Sequence, residues 1–386
     1  MTIYVRELAA ALAARGVHTD VFTRATSDFI RPVQLFAGVR VVPVEAGPHA
    51  PVPKELLHAH VGEFTAGVRA FATAQRITYG VVHSHYWQSG LAARDLARAW
   101  SVPFVHSNHT LALVKNRHLA PGDVPEPATR LDGERAVIDA ADVLVTSTDE
   151  ELEHLACLYG ASHDRLKTIH PGVDHELFRP GDRAAARRAL GVRDEAVVLY
   201  VGRIQRLKGL DLALSALARL RATTQPGAVL VVVGGASGSN GGDEVARLKA
   251  LARSLGVADA VRFVGPRPHD ELPCFYRAAD VLAVCSHSES FGLAALEAHA
   301  CGTPVVGTAV GGLQHVVRDG ESGYLVATRD PDVFASRIAA SVARADSFRN
   351  AAAVAARAFS WRRMADEFLE LYDCLARERV PEACTC

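Results

Sequence analysis

What most constrains this chain is a rhythm: short β-branched runs alternate with longer amphipathic stretches along almost its whole length. The short runs are "HTDVFT", "GVVHSH", "PFVHS", "DVLVTS", "AVVLYVG", "AVLVVVGG", "VRFVG", "DVLAVC" and "TPVVG". Between them lie stretches such as "YVRELAAALAARG", where Val5, Leu8, Leu12 and Ala13 share one face at helical spacing. Such alternation predicts an α/β protein, with parallel sheets wrapped by helices. The rhythm breaks once, at "TIHPGVDHELFRPGD" (168–182), where Gly and Pro crowd together and no period holds. We therefore expect one domain over 1–172 and a second over 173–360. The last stretch, 361–386, reads as one long helix that crosses back to the first domain. Each half is long enough for a doubly wound sheet, and such sheets bind ligands outside the carboxyl ends of their strands. Two of them face to face would form a cleft.

Composition narrows the partners. Charged residues make up 22% of the 386 and the net charge is −1, so the chain offers no general basic field for nucleic acid or acidic lipid. A small molecule is the expected partner. No apolar run is long enough to cross a bilayer, and "MTIYVRELAA" meets Arg6 and Glu7 before a signal-peptide core could form, which predicts a cytoplasmic protein without membrane insertion. Seven cysteines, scattered from Cys157 to Cys386, fit reduced thiols better than a disulfide framework. The terminal "CTC" reads as a tail with two free thiols.

Two constellations carry chemistry. In "ESFGLAALE" (289–297), Glu289 falls in the loop at the carboxyl end of the strand "DVLAVC", and Phe291, Gly292 and Leu293 open a helix. The unpaired amides of that helix start suit hydroxyls or phosphates, and Glu297, two turns in, reaches another part of the same ligand. Either acid alone would pass as a surface helix residue. The second constellation is "VGRIQRLKG", which puts Arg203 and Lys208 five residues apart in the loop and first turn after a strand. Cations are disfavoured at a helix start. Aimed at a diphosphate leaving group, however, they stabilise the charge that develops there.

These residues, with "GTPVV" and "VGG" (310–312), resemble the donor half of the retaining glycosyltransferases of family 4, which have the GT-B fold of two Rossmann-like domains facing across a cleft. The likeness covers nearly the whole chain. It implies that Glu289 contacts the transferred sugar and Glu297 the ribose, that Arg203 and Lys208 hold the diphosphate, and that the backbone near Arg267 meets the base. His109 is implied to lie beside the donor sugar, near its 6-hydroxyl and the reacting carbon. In the first half, "VHSHYWQSG", "HSNHTLALVKN" and "PEPATR" resemble a subgroup that glycosylates an inositol phosphate at the start of mycothiol synthesis in actinobacteria. By that resemblance Lys54, Tyr86, Thr110 and Arg130 hold the acceptor phosphate, and two cations with two hydroxyls suit a phosphomonoester. The implied donor is UDP-N-acetylglucosamine and the implied acceptor 1D-myo-inositol 3-phosphate. No cofactor is required, although the resemblance implies a structural Mg2+ on backbone oxygens of Tyr276, Arg277 and Ala279. The partners implied are small-molecule donor and acceptor, with a homodimer left open.

Other readings stay open here: another cyclitol, sugar or thiol acceptor, or a nucleotide-sugar-binding protein without catalysis. His83, His85, His106 and His109 invite a metallohydrolase reading, which the lack of an accompanying carboxylate disfavours. "GGASGSNGG" (234–242) lacks the G-x-G-x-x-G and Walker patterns and reads as a mobile loop. Family members begin with a strand and a glycine-rich loop, whereas "MTIYV" is already at the helix, and Thr2 stands where they carry Asn. Met1 therefore reads as an internal methionine taken as the start, or the chain as a truncated one, and the first sheet is expected to lack a central strand and to show two unpaired edges.

Overall fold

The computed structural model describes residues 1–119, 124–237 and 241–378. The chain forms two compact units: Met1–Arg117, Glu126–Gly172 and the segment from Trp361 make one, and Val173–Ser360 is the body of the other. The "CTC" tail and the middle of the 234–242 loop lie outside the described residues. Among the described residues no helix is long and apolar enough to cross a membrane.

The first unit carries β1 (Thr19–Arg24), β2 (Val33–Phe36), β3 (Val39–Val44), β4 (Val82–His85), β5 (Phe104–Ser107), β6 (Val143–Thr146) and β7 (Leu166–Thr168). They form two sheets, β1-β3-β2 and β4-β5-β6-β7. All pairs are parallel except β2 with β3, a hairpin closed by Ala37 and Gly38, the latter at φ +80°. Among the described strands β1 pairs only with β3, and β4 only with β5. Each thus keeps one open edge. Helices bridge what the strands do not. Val42 and Val44 of β3 share one apolar cluster with Val68 of the helix Val61–Gln75 and Leu96 of the helix Trp87–Trp100, with Phe22 of β1 packed against it. The terminal helix Trp361–Glu378 packs beside the helix Thr2–Ala13, where Arg15 pairs with Asp366.

The second unit is a single six-stranded parallel sheet: β8 (Val197–Val201), β9 (Val229–Val233), β10 (Val261–Gly265), β11 (Val281–Val284), β12 (Val305–Thr308) and β13 (Gly323–Val326). Their order is β10-β9-β8-β11-β12-β13. The near-continuous apolar runs follow from burial on both faces. Val198, Tyr200, Leu230 and Val232 point into one core, while Val197, Leu199, Val229 and Val231 point into another on the opposite face. The order reverses direction between β8 and β11, so a crevice opens outside their carboxyl ends. The α/β, doubly wound architecture expected from the rhythm is present. Four strands carried too little signal to be foreseen, β2, β3, β7 and β13; β2, for instance, is exposed at every position.

Candidate active site

The two loops at the reversal of the second unit hold the expected donor residues. After β8 the chain turns through Gly202 and Arg203 into a single helical turn, Arg206–Lys208, and leaves it through Gly209 at φ +63°. A side chain at Gly209 would collide with the carbonyl oxygen of Cys285 at 2.1 Å, so this loop packs directly on the loop after β11. His287 N–H donates to the Leu207 carbonyl at 2.8 Å and ties the two together. Lys208 Nζ then lies 2.5 Å from Glu289 Oε2, which also accepts from Ser286 Oγ at 3.0 Å. Arg203 is exposed beside this pair, its carbonyl accepting from Tyr200 Oη.

The glycines of "VGG" are there for a steric reason. A Cβ at Gly311 would stand 1.8 Å from the Glu289 carbonyl oxygen, and one at Gly312 would stand 2.2 Å from Phe291 Cα. Gly312 N–H donates to that same Glu289 carbonyl at 3.1 Å. Beyond it Phe291 is buried, and Gly292, at φ +94°, caps the helix Leu293–Ala300 without a side-chain hydrogen bond to its first amides. The first amides of a helix have no acceptor within it. Glu297 lies deeper, accepting from Tyr276 Oη at 2.8 Å and paired with His269 Nε2 at 2.7 Å. The carboxylate and burial together push the Tyr276 phenol well up, so it stays a donor. Neither Tyr276 as a partner of Glu297 nor His269 was singled out in the sequence, and no local motif marks them. Arg267 is exposed, 3.7 Å from Glu271.

In the first unit three of the four expected acceptor residues meet at Arg130. This arginine is 4% exposed, with Nε donating to Glu134 Oε1 at 2.7 Å and Nη2 to Thr110 Oγ1 at 2.9 Å. The Tyr86 ring lies 5.1 Å from the guanidinium carbon. Burial alone would lower the Arg130 pKa, but Glu134, Tyr86 and Glu126 outweigh it and hold the charge. Tyr86 sits at φ +78° at the start of the helix Trp87–Trp100, a left-handed conformation that aims its ring across the pocket. Lys54 is exposed at the rim of the same small cavity, which Glu126 also lines. Lys115, Glu126 and Glu134 complete the charge cluster and were missed, because nothing in the sequence marks which surface charges fold onto an arginine.

Three of the four histidines, His83, His85 and His109, stand in a row, and His106 is held apart by its own partners. His83 and His85 share one face of β4, rings 4.2 Å apart. His83 bonds Tyr372 Oη and Ser107 Oγ, and His106 bonds Ser84 Oγ and Asn108. His85 Nδ1 and His109 Nε2 are 3.0 Å apart, with Tyr4 edge-on to both rings. Burial lowers all four pKa values, His85 to about 3 and His106 to about 4, so the rings are neutral. Among the described residues no group of three or more His, Cys, Asp or Glu side chains is arranged to hold a metal. Of the three backbone oxygens implied for Mg2+, those of Tyr276 and Ala279 already accept hydrogen bonds from side chains. The Tyr276 oxygen accepts from Thr303 Oγ1 at 2.6 Å, and the Ala279 oxygen accepts from Arg349 Nη2 at 2.5 Å. Arg349 also reaches the Gly302 oxygen at 3.3 Å. These oxygens stand at the carboxyl ends of the helices Leu272–Ala278 and Leu293–Ala300, where a cation is favoured, and the cation there is a guanidinium.

Comparison with known proteins is consistent along the whole chain. Residues 1–172 match the family model "Glycosyl transferase 4-like domain", and residues 182–358 match "Glycosyl transferases group 1". A D-inositol 3-phosphate glycosyltransferase of Acidothermus cellulolyticus is 51% identical over 391 residues, covering 98% of this chain and 87% of that protein. One of Mycobacteroides abscessus is 47% identical, covering 99% and 86%. Among solved structures, sucrose-phosphate synthase from Thermosynechococcus elongatus superposes with a TM-score of 0.89 at 34% identity, covering 97% of this chain and 93% of that one. Anabaena HepE in complex with UDP and glucose gives 0.76 at 21% identity, covering 96% of each chain, a likeness of fold.

Proposed function

The chain belongs to glycosyltransferase family 4, of the GT-B fold, and from that premise we propose that it transfers N-acetylglucosamine from UDP-N-acetylglucosamine to 1D-myo-inositol 3-phosphate with retention of configuration. The observation that carries the acceptor is the buried Arg130, set against Thr110 and Tyr86 beside a cavity rimmed by Lys54, which is chemistry for a phosphomonoester. Relatives at 51% and 47% identity are named D-inositol 3-phosphate glycosyltransferase, which supports the acceptor.

On the donor side Arg203 and Lys208 would receive the diphosphate and Glu289 the sugar hydroxyls, with Glu297 on the ribose. As the anomeric C–O bond breaks, its electron pair stays on the diphosphate, where the two cations stabilise it. The acceptor hydroxyl attacks from the same face, and its proton passes to the departing phosphate oxygen. Glu289 is engaged by Lys208 and Ser286, which suits an orienting carboxylate better than a covalent nucleophile. His109, held neutral by burial, would serve as a hydrogen-bond partner for the sugar rather than as a proton source. A mass-spectrometric assay tests the assignment: the protein is offered a panel of UDP- and GDP-sugars with inositol 3-phosphate or unphosphorylated inositol. The expected product is N-acetylglucosaminyl-inositol phosphate. Product only from the unphosphorylated cyclitol, or only from a GDP-sugar, would refute it.

A further inference from the structure

The cavity beside Arg130 measures about 20 Å³, room for little more than a single water. What fills the position opposite the guanidinium is a carboxylate. Glu126 Oε2 lies 3.0 Å from Arg130 Nη1, and Glu126 Oε1 accepts from Lys115 Nζ. Lys54 lies close enough to help lower the Glu126 pKa, and the three cations together outweigh the opposing effect of burial. The second acid on Arg130 is of another kind. Glu134, 1% exposed, also accepts from the Ala112 amide and the Tyr159 hydroxyl, and it is fixed in the middle of the helix Ala128–Ala140. Glu126 precedes that helix, outside its hydrogen-bonded turns, and its backbone is held by Asn116 Oδ1 at 2.7 Å.

We propose that Glu126 is a built-in stand-in for the acceptor's phosphate: its carboxylate occupies the anion position between Arg130 and Lys115, and a phosphomonoester must displace it to bind. Lys115 thereby becomes a further phosphate ligand. With Glu126 in place Lys54, Lys115 and Arg130 face Glu126, Glu134 and, at the rim, Glu55, which lies 3.7 Å from Lys54; once Glu126 swings out, one positive charge is left over for the phosphate. A neutral cyclitol offers those cations nothing in exchange for the carboxylate, so the latch selects for the phosphorylated acceptor. The inference rests on the reading of this pocket as the acceptor phosphate site.

The test uses the full chain and inorganic phosphate as probe, followed by calorimetry, with melting temperature as a check on folding. Glu126→Gln keeps the shape and removes the charge, and phosphate is expected to bind it roughly tenfold tighter than wild type. Lys115→Met is expected to bind it roughly tenfold more weakly. The KM for inositol 3-phosphate should move in the same directions while the KM for the donor stays put. If phosphate binds wild type and Glu126→Gln equally, or the variant more weakly, the latch is refuted while the phosphate site stands. If phosphate binds neither folded protein, the acceptor reading falls and the latch with it. Should Glu126→Gln fail to fold, Glu126→Asp, which retracts the charge by one methylene, must still tighten phosphate binding.

Discussion

Replacing Lys208 by methionine removes one charge from the proposed donor site and little volume. Its Nζ sits 2.5 Å from Glu289 Oε2, with side-chain exposures of 21% and 16%, so the pair is partly screened. For folding, such an exposed-edge pair is worth about 1 kcal/mol at most, which for a chain of 386 residues lowers the melting temperature by roughly 1 °C. For catalysis the loss is larger, because the charge on the diphosphate grows as the bond breaks. A unit charge about 4 Å from another contributes about 4 kcal/mol at an effective dielectric constant near 20, and removing one preorganised donor from a developing anion costs about 3–4 kcal/mol. The expected outcome is a fall in kcat of about 10²–10³. The KM for the donor should rise far less, since charge development and not ground-state binding is what the lysine serves. Continuous measurement of UDP release at saturating acceptor reads both constants. A kcat within threefold of wild type, in a variant that melts normally, would refute the assignment of the leaving group to this loop.

Three further outcomes follow from the same coordinates. Gly311→Ala forces a Cβ to within 1.8 Å of the Glu289 carbonyl oxygen, so the donor loop must move; we expect loss of most activity and a lower melting temperature, and a variant with wild-type kinetics would contradict the packing. Because Arg349 and Thr303 already occupy the oxygens of Ala279 and Tyr276, chelation by EDTA should leave thermal stability unchanged, whereas Arg349→Ala should lower it by roughly 5–10 °C; an EDTA-induced drop restored by Mg2+ would show an ion sharing those oxygens. Five buried histidines, His83, His85, His106, His109 and His299, have folded pKa values below their ordinary 6.5. The unfolded chain then binds more protons below about pH 6.5, so their contribution to stability is complete above that pH and is lost as the pH falls toward about 4. Glu151, raised to about 7 by burial, acts oppositely between about 4.5 and 7, one group against five. Urea midpoints should therefore fall from pH 7 to pH 5, and Glu151→Gln should steepen that fall; a midpoint that rises on acidification would refute the neutral histidines.

The second unit was far more legible in the sequence than the first, and the reason is burial. Its central strands are covered on both faces and read as near-continuous apolar runs, and of its six strands β13, at one edge, escaped notice. In the first unit β2 is exposed at every position and β3 alternates with Pro43 inside it, patterns that no local rule separates from a loop. The open edges of β1 and β4 were legible only through resemblance, since an unpaired edge leaves no mark on the residues that form it.

The same contrast runs through the site, and it explains which chemistry escaped. Lys208 and Glu289 were recognisable because their loops are bounded by glycines that close backbone approach dictates, Gly209 beside Lys208 and Gly311 in the loop after β12 that packs on Glu289. Glu126 and Lys115 obey no such constraint. Their role comes only from where the helix Ala128–Ala140 lays Arg130, and a carboxylate two residues before a helix looks in sequence like any other. Charge compensation is a property of the folded neighbourhood: Arg130 is 4% exposed and could not remain there as a cation without anions at its sides. A pocket that must later accept a dianion therefore has to hold a removable one first. On this argument an acid beside a buried arginine that is to bind phosphate is a requirement of folding before it is a device of selectivity, and Glu126, unlike Glu134, stands outside the helix and lines the cavity.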